Sequence, residues 1–482
     1  MSRARRRAWL RRGLVLVAAA LSVPVLIHLV ALARSATVVP QVAVSSGVPS
    51  VAADDPGRRE VARSYARMRG NIREVRLAGS PSEAGAAHGK LLYDDQRAIE
   101  SAMHDAFRQY VPSSLARAAI VDLARLRFGA FDGQMSEDRR QEIAAQAAQF
   151  VPDPFTSLMP TYPRFLYLHS LYDILLAFEH SPLLGCTSFV LGPEATLSGH
   201  TLVGRNFDFE GPSVLEAHKT VFLVGGDGPV PYATVSWPGF VGAATGMNAE
   251  GVAIVVHGAR AGEVRNRGAP VAHTVRWLLA HATTTSDAVG RLGELHPLVP
   301  HMLLVVDASG DAAVVERVPG HPPFVRWRAG PTLWLTNHFE GPHASDPKNQ
   351  RVRNTTSTLA RAGRVAELLA GTRAARLEDA VSLLRDRSAR GGGELPLGHR
   401  SAIDALIATH AVVMDTTRRS LWVSEGPHAL GRFVRFDLRE LLDPAFEPRG
   451  AASVEAVPAA PLLASGQFSA WRERGAPHEG VE

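Results

Sequence analysis

Residues 184–189 read Leu-Gly-Cys-Thr-Ser-Phe, and Cys186 within them is the single cysteine of the 482-residue chain. The chain before this stretch shows helical patterns, whereas the chain after it is rich in short β-type runs, so Cys186 stands at a junction. One cysteine excludes an intramolecular disulfide and a zinc site built from several thiolates. Because a lone cysteine is most often a small buried apolar residue, a catalytic role needs support from other residues.

After Cys186, short runs of β-type composition are separated by pairs of helical segments at roughly 270–295 and 355–387. This order, unlike strict alternation of one strand with one helix, is typical of antiparallel sheets covered by helices. We therefore expect an α+β fold, with two stacked antiparallel sheets between helices. The predicted strands are 201–203, 220–224, 232–237, 252–257, 302–307, 312–318, 332–336, 411–415, 420–424 and 432–437.

Before Cys186, residues 59–185 are predicted to form a helical prosegment. Two segments within it, 137–150 and 162–179, carry apolar residues at helical spacing. The remaining predicted boundaries are 34–58 for a small, polar, proline-containing linker, 186–445 for the core, and 446–482 for a loosely ordered tail rich in Ala and Pro.

The N-terminus contains an apolar stretch over residues 13–33 that has no Asp, Glu, Lys or Arg. That length is enough for a transmembrane helix. Six arginines lie in residues 1–12, which predicts a basic cytoplasmic N-terminus, a single-pass membrane anchor and an extracytoplasmic catalytic part. A cleaved signal peptide and a secreted protein is the alternative, because Ala31-Leu32-Ala33 resembles a cleavage site.

The charge balance excludes one class of function. The chain has a formal net charge of +5, yet seven of its 52 basic residues lie in residues 1–34, which leaves 45 basic residues against 47 acidic ones in the rest. A nucleic-acid-binding domain needs a basic face of its own. The near-neutral remainder therefore predicts no nucleic-acid partner.

Several familiar catalytic patterns do not occur, including the G-x-S-x-G serine elbow and the H-E-x-x-H zinc helix. An Arg/Asp pair does follow Cys186, in the stretch Gly204-Arg-Asn-Phe-Asp208. In an extended strand Arg205 and Asp208 would point to opposite faces, so we expect a turn or bulge if both face one site. An ordinary surface ion pair is the alternative.

The ordered motifs of the chain resemble the penicillin (isopenicillin-N) acyltransferase-like family of N-terminal-nucleophile (Ntn) hydrolases. This family is related to acid ceramidase, N-acylethanolamine acid amidase and choloylglycine hydrolase. The resemblance spans about residues 72–440 and implies an αββα sandwich with an upstream prosegment. The motifs are Gly79-Ser-Pro-Ser-Glu-Ala-Gly85, Gly185-Cys-Thr-Ser-Phe189, Gly204-Arg-Asn-Phe-Asp208, Gly246-Met-Asn-Ala-Glu-Gly251, Leu335-Thr-Asn-His-Phe339 and Leu421-Trp-Val-Ser-Glu-Gly426.

The resemblance implies autocatalytic cleavage between Gly185 and Cys186. The new α-amino group, with a reference pKa of about 8, would then act as base for its own thiol. The resemblance further implies that Arg205 favours the thiolate and that Asp208 orients the amine. Asn337 would help to stabilise the tetrahedral oxyanion. Arg361 is a looser match to a further site arginine, and a solvated helix arginine is the alternative.

The chain departs from the bile-salt relatives after its Asn-x-x-Gly turn. Where those relatives have an asparagine, His257 stands here, in Val255-Val-His-Gly258. His257 is therefore a candidate for an oxyanion donor, a substrate contact or a strand cap. Asn248, in the turn itself, is predicted to be a turn residue. His338 follows Asn337 directly, so on a strand it would point away from the nucleophile.

Together these features predict an amide hydrolase or acyltransferase with a thiol nucleophile. It would act on a small-molecule acyl amide through an S-acyl enzyme, without metal or organic cofactor. Two alternatives stay open at this point. One is an unprocessed thiol hydrolase that uses a Cys/His pair with His257 or His338 as base. The other is a catalytically degenerate binding protein, anchored in the membrane, on the same scaffold.

Overall fold

The computed structural model describes residues 12, 22–43, 47–129, 131–177, 184–226 and 228–476. Its strands are β1 (Ser50–Ala52), β2 (Asp55–Val61), β3 (Ser64–Arg69), β4 (Ile72–Leu77), β5 (Leu184–Leu191), β6 (Leu202–Phe209), β7 (Thr220–Val224), β8 (Tyr232–Ser236), β9 (Thr245–Asn248), β10 (Ala253–Gly258), β11 (His301–Val306), β12 (Ala312–Arg317), β13 (Phe324–Trp327), β14 (Thr332–Leu335), β15 (Ala408–Asp415), β16 (Ser420–Ser424), β17 (Phe433–Asp437) and β18 (Ala456–Val457).

The α-helices that follow Leu77 are numbered in chain order. They are α1 (Pro81–Leu91), α2 (Tyr93–Tyr110), α3 (Ser114–Phe128), α4 (Glu137–Gln149), α5 (Thr161–His169), α6 (Leu171–Ala177), α7 (Val214–Ala217), α8 (Val271–His281), α9 (Thr285–Leu292), α10 (Pro347–Thr355), α11 (Thr358–Ala370), α12 (Leu377–Leu384), α13 (Leu438–Leu441), α14 (Pro461–Ala464) and α15 (Gln467–Glu473).

Two sheets stack on each other, as the sequence predicts. The larger has the order β1-β2-β3-β4-β7-β8-β9-β10-β11-β12-β13, and the smaller has the order β14-β5-β6-β15-β16-β17-β18. Alternate residues of both sheets, such as Val255 and Val412, share one buried apolar cluster. Because a strand points successive side chains to opposite faces, the other residues meet helices. Leu278 of α8 packs with one outer face, and Val365 of α11 with the other.

The N-terminal part of the large sheet differs from the prediction. Residues 50–77, expected to be linker and helix, form β1 to β4, and β4 pairs parallel with β7 in a sheet expected to be antiparallel. The cause is the ion pairing of buried charges. Arg67 and Arg69 lie 2.7 and 2.6 Å from Glu74, whose side chain is fully buried. A charged run with such partners fits a strand, although its composition suggests exposure.

The C-terminal tail, expected to be loose over 446–482, is ordered over its described part up to residue 476. β18 pairs with β17, and α14 and α15 follow. Phe468 and Trp471 of α15 are buried against Leu406 and Leu430. Two aromatic anchors therefore hold a segment whose Ala and Pro content suggested little burial.

The predicted transmembrane helix over residues 13–33 is wrong. Among the residues that the structure describes, no helix has both the length and the apolar character needed to cross a membrane. Residues 13–21 lie outside the described part, and residues 22–34 are helical. His28 of that helix bonds to Asp122 of α3 at 2.8 Å, and Ala31 is buried. The predicted single-pass membrane location and the predicted membrane partner depended on this helix, so both are corrected as well.

Candidate active site

Cys186 lies near the start of β5, which runs between β14 and β6. Its side chain is fully buried. Its backbone N–H donates to Asn337 Oδ1 at 2.7 Å, so a side chain from another part of the chain takes the place of a strand partner. Burial raises the pKa of the Cys186 thiol, while the charge of Arg205 acts to lower it.

Arg205 projects from β6 beside the thiol. Its Nη2 atom lies 3.8 Å from Cys186 Sγ, and its guanidinium stacks over Phe207 at 4.9 Å from the ring centroid. Phe207 is in turn the register partner of Cys186. The Nε and Nη1 atoms of Arg205 are buried without a hydrogen-bond partner among the described residues. The Arg205 guanidinium therefore lies against the thiol, and its Nε and Nη1 hydrogens are available to a ligand.

Asp208 is the register partner of Gly185, the residue before the cysteine. A Cβ atom built on Gly185 would lie 3.8 Å from Asp208 Oδ2 and 3.7 Å from Arg361 Nη2. Burial raises the pKa of Asp208 to about 7, whereas the charge of Arg361 acts to lower it. Arg205 and Asp208 thus have different neighbours, as strand alternation predicts, and the site extends around the end of β5.

Asn337 follows β14 and is bonded through both ends of its amide. Its Oδ1 also accepts from Arg361 Nη2 at 3.0 Å, and its Nδ2 donates to the carbonyl oxygen of Gly258 at 3.1 Å. Arg361, on α11, is buried. Its Nη1 donates to the carbonyl oxygen of Cys186 and, at 3.0 Å, to Thr187 Oγ1. The structure therefore brings both residues to the backbone of Cys186.

His257 lies on β10 with both ring nitrogens occupied. Nε2 is 2.7 Å from Ser188 Oγ, and Nδ1 is 3.1 Å from the carbonyl oxygen of Thr336. With Nδ1 donating and Nε2 accepting, the ring is neutral, because burial holds its pKa well below the usual range. His257 thus links β10 of the large sheet by hydrogen bonds to β5 and to the residue after β14 of the small sheet. No hydrogen left on its ring is free for an oxyanion.

His338 does not face the thiol. Its Nδ1 lies 3.2 Å from Thr336 Oγ1 and 3.0 Å from Thr358 Oγ1, as expected from its position next to Asn337. Asn248, predicted to be a turn residue, accepts from the backbone N–H groups of Glu250 and Val252 and is fully buried. Neither residue contacts Cys186 in the described part of the chain.

An apolar cavity of about 110 Å³ adjoins the site through Phe207 and Tyr172. Segments on both sides of Cys186 build its wall. The lining residues are Gln96, Ile99, Glu100, Met103, Leu168, Leu171, Tyr172 and Leu175 from the upstream part, and Phe207, Phe209, Leu215, Trp237, Pro238, Gly239, Phe240 and Ala244 from the downstream part. The described residues contain no group of three or more His, Cys, Asp or Glu side chains that could hold a metal ion.

Sequence reasoning missed three residues around the site: Ser188, Phe207 and Tyr172. Ser188 and Phe207 lie inside quoted motifs, and their period of two relative to Cys186 and Arg205 could have placed them on the same strand faces. Tyr172 carries no such signal. Only the packing of α6 against β6 brings it to the site.

Residues 196–396 match a family model described as acyl-coenzyme A:6-aminopenicillanic acid acyl-transferase. The resemblance inferred from the motifs is confirmed. The matched segment contains Arg205, Asp208, Asn337 and Arg361, and the match supports an enzyme of the acyl-transferase type. Cys186 lies ten residues before the matched segment begins at residue 196.

Further relatives are more distant. An uncharacterized protein of Archaeoglobus fulgidus is 27% identical over 267 residues, which cover 49% of this chain and 41% of that protein. The chain thus spans less than half of that relative's length. Among solved structures, penicillin V acylase from Agrobacterium tumefaciens aligns at 18% identity and a TM-score of 0.36, covering 57% of this chain and 99% of that one.

Two other solved structures align at similar levels. The Caenorhabditis elegans N-acylethanolamine-hydrolyzing acid amidase ortholog has 17% identity and a TM-score of 0.35, and covers 48% of this chain and 93% of its own. A variant of conjugated bile acid hydrolase from Clostridium perfringens has 13% identity and a TM-score of 0.36, and covers 56% of this chain and 96% of its own.

Proposed function

We propose that the protein is a self-processing cysteine amidohydrolase or acyltransferase that acts on non-peptide acyl amides through an S-acyl enzyme. The observation that carries the proposal is the way the backbone of Cys186 is held. Asn337 Oδ1 accepts its N–H at 2.7 Å, and Arg361 donates to its carbonyl oxygen. Because side chains bond to both the N–H and the carbonyl oxygen of Cys186, we infer that the backbone of this residue takes part in the reaction.

Processing would begin with the addition of Cys186 Sγ to the carbonyl carbon of Gly185. The C–N bond between the two residues breaks as the nitrogen takes up a proton, and water then hydrolyses the thioester. The products are a Gly185 carboxylate and a Cys186 with a free thiol and a free α-amine. Asp208 supports this step because its carboxylate lies beside Gly185, the residue whose bond to Cys186 would break.

Turnover would use the same nitrogen as base. The amine takes the thiol proton, and the thiolate adds to the acyl carbonyl carbon of the substrate. The proton passes to the leaving nitrogen as the C–N bond breaks, and water or a second amine resolves the thioester. Arg205, with Nη2 3.8 Å from Sγ, favours the thiolate. Asn337 Oδ1 is positioned to accept from the amine and to orient its lone pair.

The substrate would carry an apolar acyl group. The cavity next to Phe207 is lined almost entirely by aliphatic and aromatic side chains, and burial of such a group is favourable by about 25 cal/mol per Å². Because half of that wall comes from α2, α5 and α6, the piece that ends at Gly185 would have to stay bound after cleavage. The pairing of β4 with β7 supports its retention.

The two alternatives receive less support. A Cys/His pair needs an imidazole in reach of the thiol, yet His257 bonds to Ser188 and Thr336, and His338 to Thr336 and Thr358. A degenerate scaffold would have no reason to keep a charged Arg205 against a buried thiol, since burying an unused charge is costly.

Intact mass and N-terminal sequencing of the purified chain, beside its Cys186→Ala variant, test the proposal. We expect the wild type to give two pieces that copurify, the second beginning at Cys186, while the variant stays whole. If both chains stay whole but a thiol probe labels Cys186, the Cys/His mechanism takes precedence. If there is neither cleavage nor labelling, the protein is a binding scaffold and the proposal is wrong.

A further inference from the structure

Three side chains around Cys186 have buried polar atoms without a hydrogen-bond partner among the described residues. They are Arg205 through Nε and Nη1, Asp208 through Oδ1, and Tyr172 through its hydroxyl. Buried polar groups in proteins are nearly always hydrogen-bonded, so several unmet groups in one place indicate a ligand that would complete them. The proposed function gives roles to Arg205 and Asp208. Tyr172 has none so far.

Tyr172 lies on α6, upstream of the Gly185–Cys186 bond. Its ring packs against Phe207 with 6.3 Å between centroids, and Phe207 is the register partner of Cys186. The three residues belong to one buried cluster, and Tyr172 also lines the apolar cavity. Tyr172 is therefore close both to the register partner of Cys186 and to the space assigned to the acyl group, and its hydroxyl interacts electrostatically with the thiol.

The acyl carbonyl needs hydrogen-bond donors when its oxygen becomes negative. Asn337, the donor implied by the family resemblance, uses one of its two Nδ2 hydrogens for the carbonyl oxygen of Gly258 at 3.1 Å. Arg205 directs Nη2 at the thiol. Tyr172 is a neutral donor with no acceptor among the residues that the structure describes, and burial raises the pKa of its hydroxyl well above the usual value, so the proton stays on the oxygen.

We infer that Tyr172 is a catalytic residue supplied by the segment upstream of the cleavage site. Its hydroxyl donates a hydrogen bond to the carbonyl oxygen of the bound acyl group, and this bond strengthens as the thiolate adds and the oxygen gains charge. The inference rests on the proposed function. It divides the catalytic groups between the two pieces of the processed chain.

The test is Tyr172→Phe in the full-length processed protein, which removes the hydroxyl and keeps the ring. The matched control is Tyr162→Phe on α5, since Tyr162 is also buried with an unpartnered hydroxyl but does not line the cavity. The probes are octanoyl and phenylacetyl para-nitroanilides. We expect kcat to fall by about 10²-fold in Tyr172→Phe, with KM little changed.

A structural role would give a different result. Because the hydroxyl has no partner to lose, the Tm of Tyr172→Phe should equal or exceed that of the wild type. A kcat close to the wild-type value, a loss shared by Tyr162→Phe, or a fall in kcat that follows a fall in Tm would overturn the inference.

The same assays, with Cys186→Ala added, distinguish a failure of this inference from a failure of the proposed function. Wild-type turnover that is lost in Cys186→Ala supports the proposed function, whatever Tyr172→Phe does. If the wild type and Cys186→Ala are equally inactive on both probes, the proposed function fails, and the role of Tyr172 fails with it.

Discussion

The backbone N–H of Cys186 donates to Asn337 Oδ1 across 2.7 Å, although 151 residues separate the two in sequence. The same oxygen accepts from Arg361, and the amide nitrogen reaches the backbone of β10 at Gly258. One side chain, in the loop that follows β14, therefore fixes the nitrogen that processing would release.

Asn337→Ala should leave the buried N–H of Cys186 without a partner. In the uncleavable Cys186→Ala background, we expect the free energy of unfolding in urea to fall by about 1–3 kcal/mol. With Cys186 present, cleavage should slow, since the nitrogen is no longer held. The control is Asn354→Ala, at an exposed position of α10, which should change neither quantity. Equal stability of the two variants would refute the importance of this bond.

His257 and Ser188 should be energetically coupled, because their side chains meet at 2.7 Å in a fully buried position. In the Cys186→Ala background, His257→Leu, Ser188→Ala and the double variant form a cycle. We expect the two losses of unfolding free energy to be non-additive by at least about 0.5 kcal/mol. His257→Leu combined with Ser382→Ala, an exposed position on α12, should be additive. Additivity in both cycles would mean that the observed contact contributes nothing.

Asp208 should make the uncleaved protein less stable as pH rises. Burial raises the pKa of Asp208 from its usual value to about 7, so the folded state binds a proton that the unfolded state has already released. The contribution to stability is full below about pH 4 and is lost as pH rises toward about 7, by at most about 1.4 kcal/mol per pH unit.

Urea unfolding of Cys186→Ala at several pH values measures this slope. Adding Asp208→Asn should flatten it, because the amide does not titrate. Asp105→Asn, at an exposed position of α2, should leave the slope of the parent unchanged. A slope that Asp208→Asn does not alter would place the titration elsewhere, for example at Asp173, whose pKa is also raised by burial to about 7.

The cavity next to Phe207 should set the size of the acyl group. Ala244 lines it and is almost fully buried, so Ala244→Leu should fill part of the space. We expect kcat/KM to fall about tenfold or more for octanoyl para-nitroanilide and to change little for the acetyl compound. Ala118→Leu, at an exposed position of α3, is the control. Equal losses on both substrates would separate this cavity from the acyl group.

The strands after Cys186 could be located from the sequence because their apolar residues are buried and carry a simple pattern. β7, for example, was predicted at 220–224 and occupies Thr220–Val224. The strands before it were missed for the opposite reason. Arg67, Arg69 and Glu74 look like a solvated run, and only their mutual pairing across β3 and β4 makes them buried strand residues. A single sequence does not contain that pairing.

The apolar stretch over residues 13–33 was also mispredicted because a sequence does not show tertiary contacts. The composition of residues 13–33 suffices for a membrane helix, yet composition does not report which surface a helix packs against. In the described part, His28 bonds to Asp122 of α3 instead, and Ala31 is buried. The predicted anchor took lipid as the partner of this stretch, with a cleaved signal peptide as the alternative, and did not consider packing against another helix.

The sequence by itself determined the nucleophile candidate, the pair Arg205 and Asp208, and the layered α+β architecture. These depend on residue type and on short-range period, which one chain carries in full. The tertiary structure alone decided which groups meet the thiol. The motifs named Asn337, Arg361 and His257 as candidates, but only the structure shows that the first two contact the backbone of Cys186 and that His257 contacts Ser188. Tyr172 comes from a separate helix, because packing of the sheets and helices brings together residues far apart in sequence. Such long-range contacts follow from the complementarity of whole surfaces, which no local pattern records.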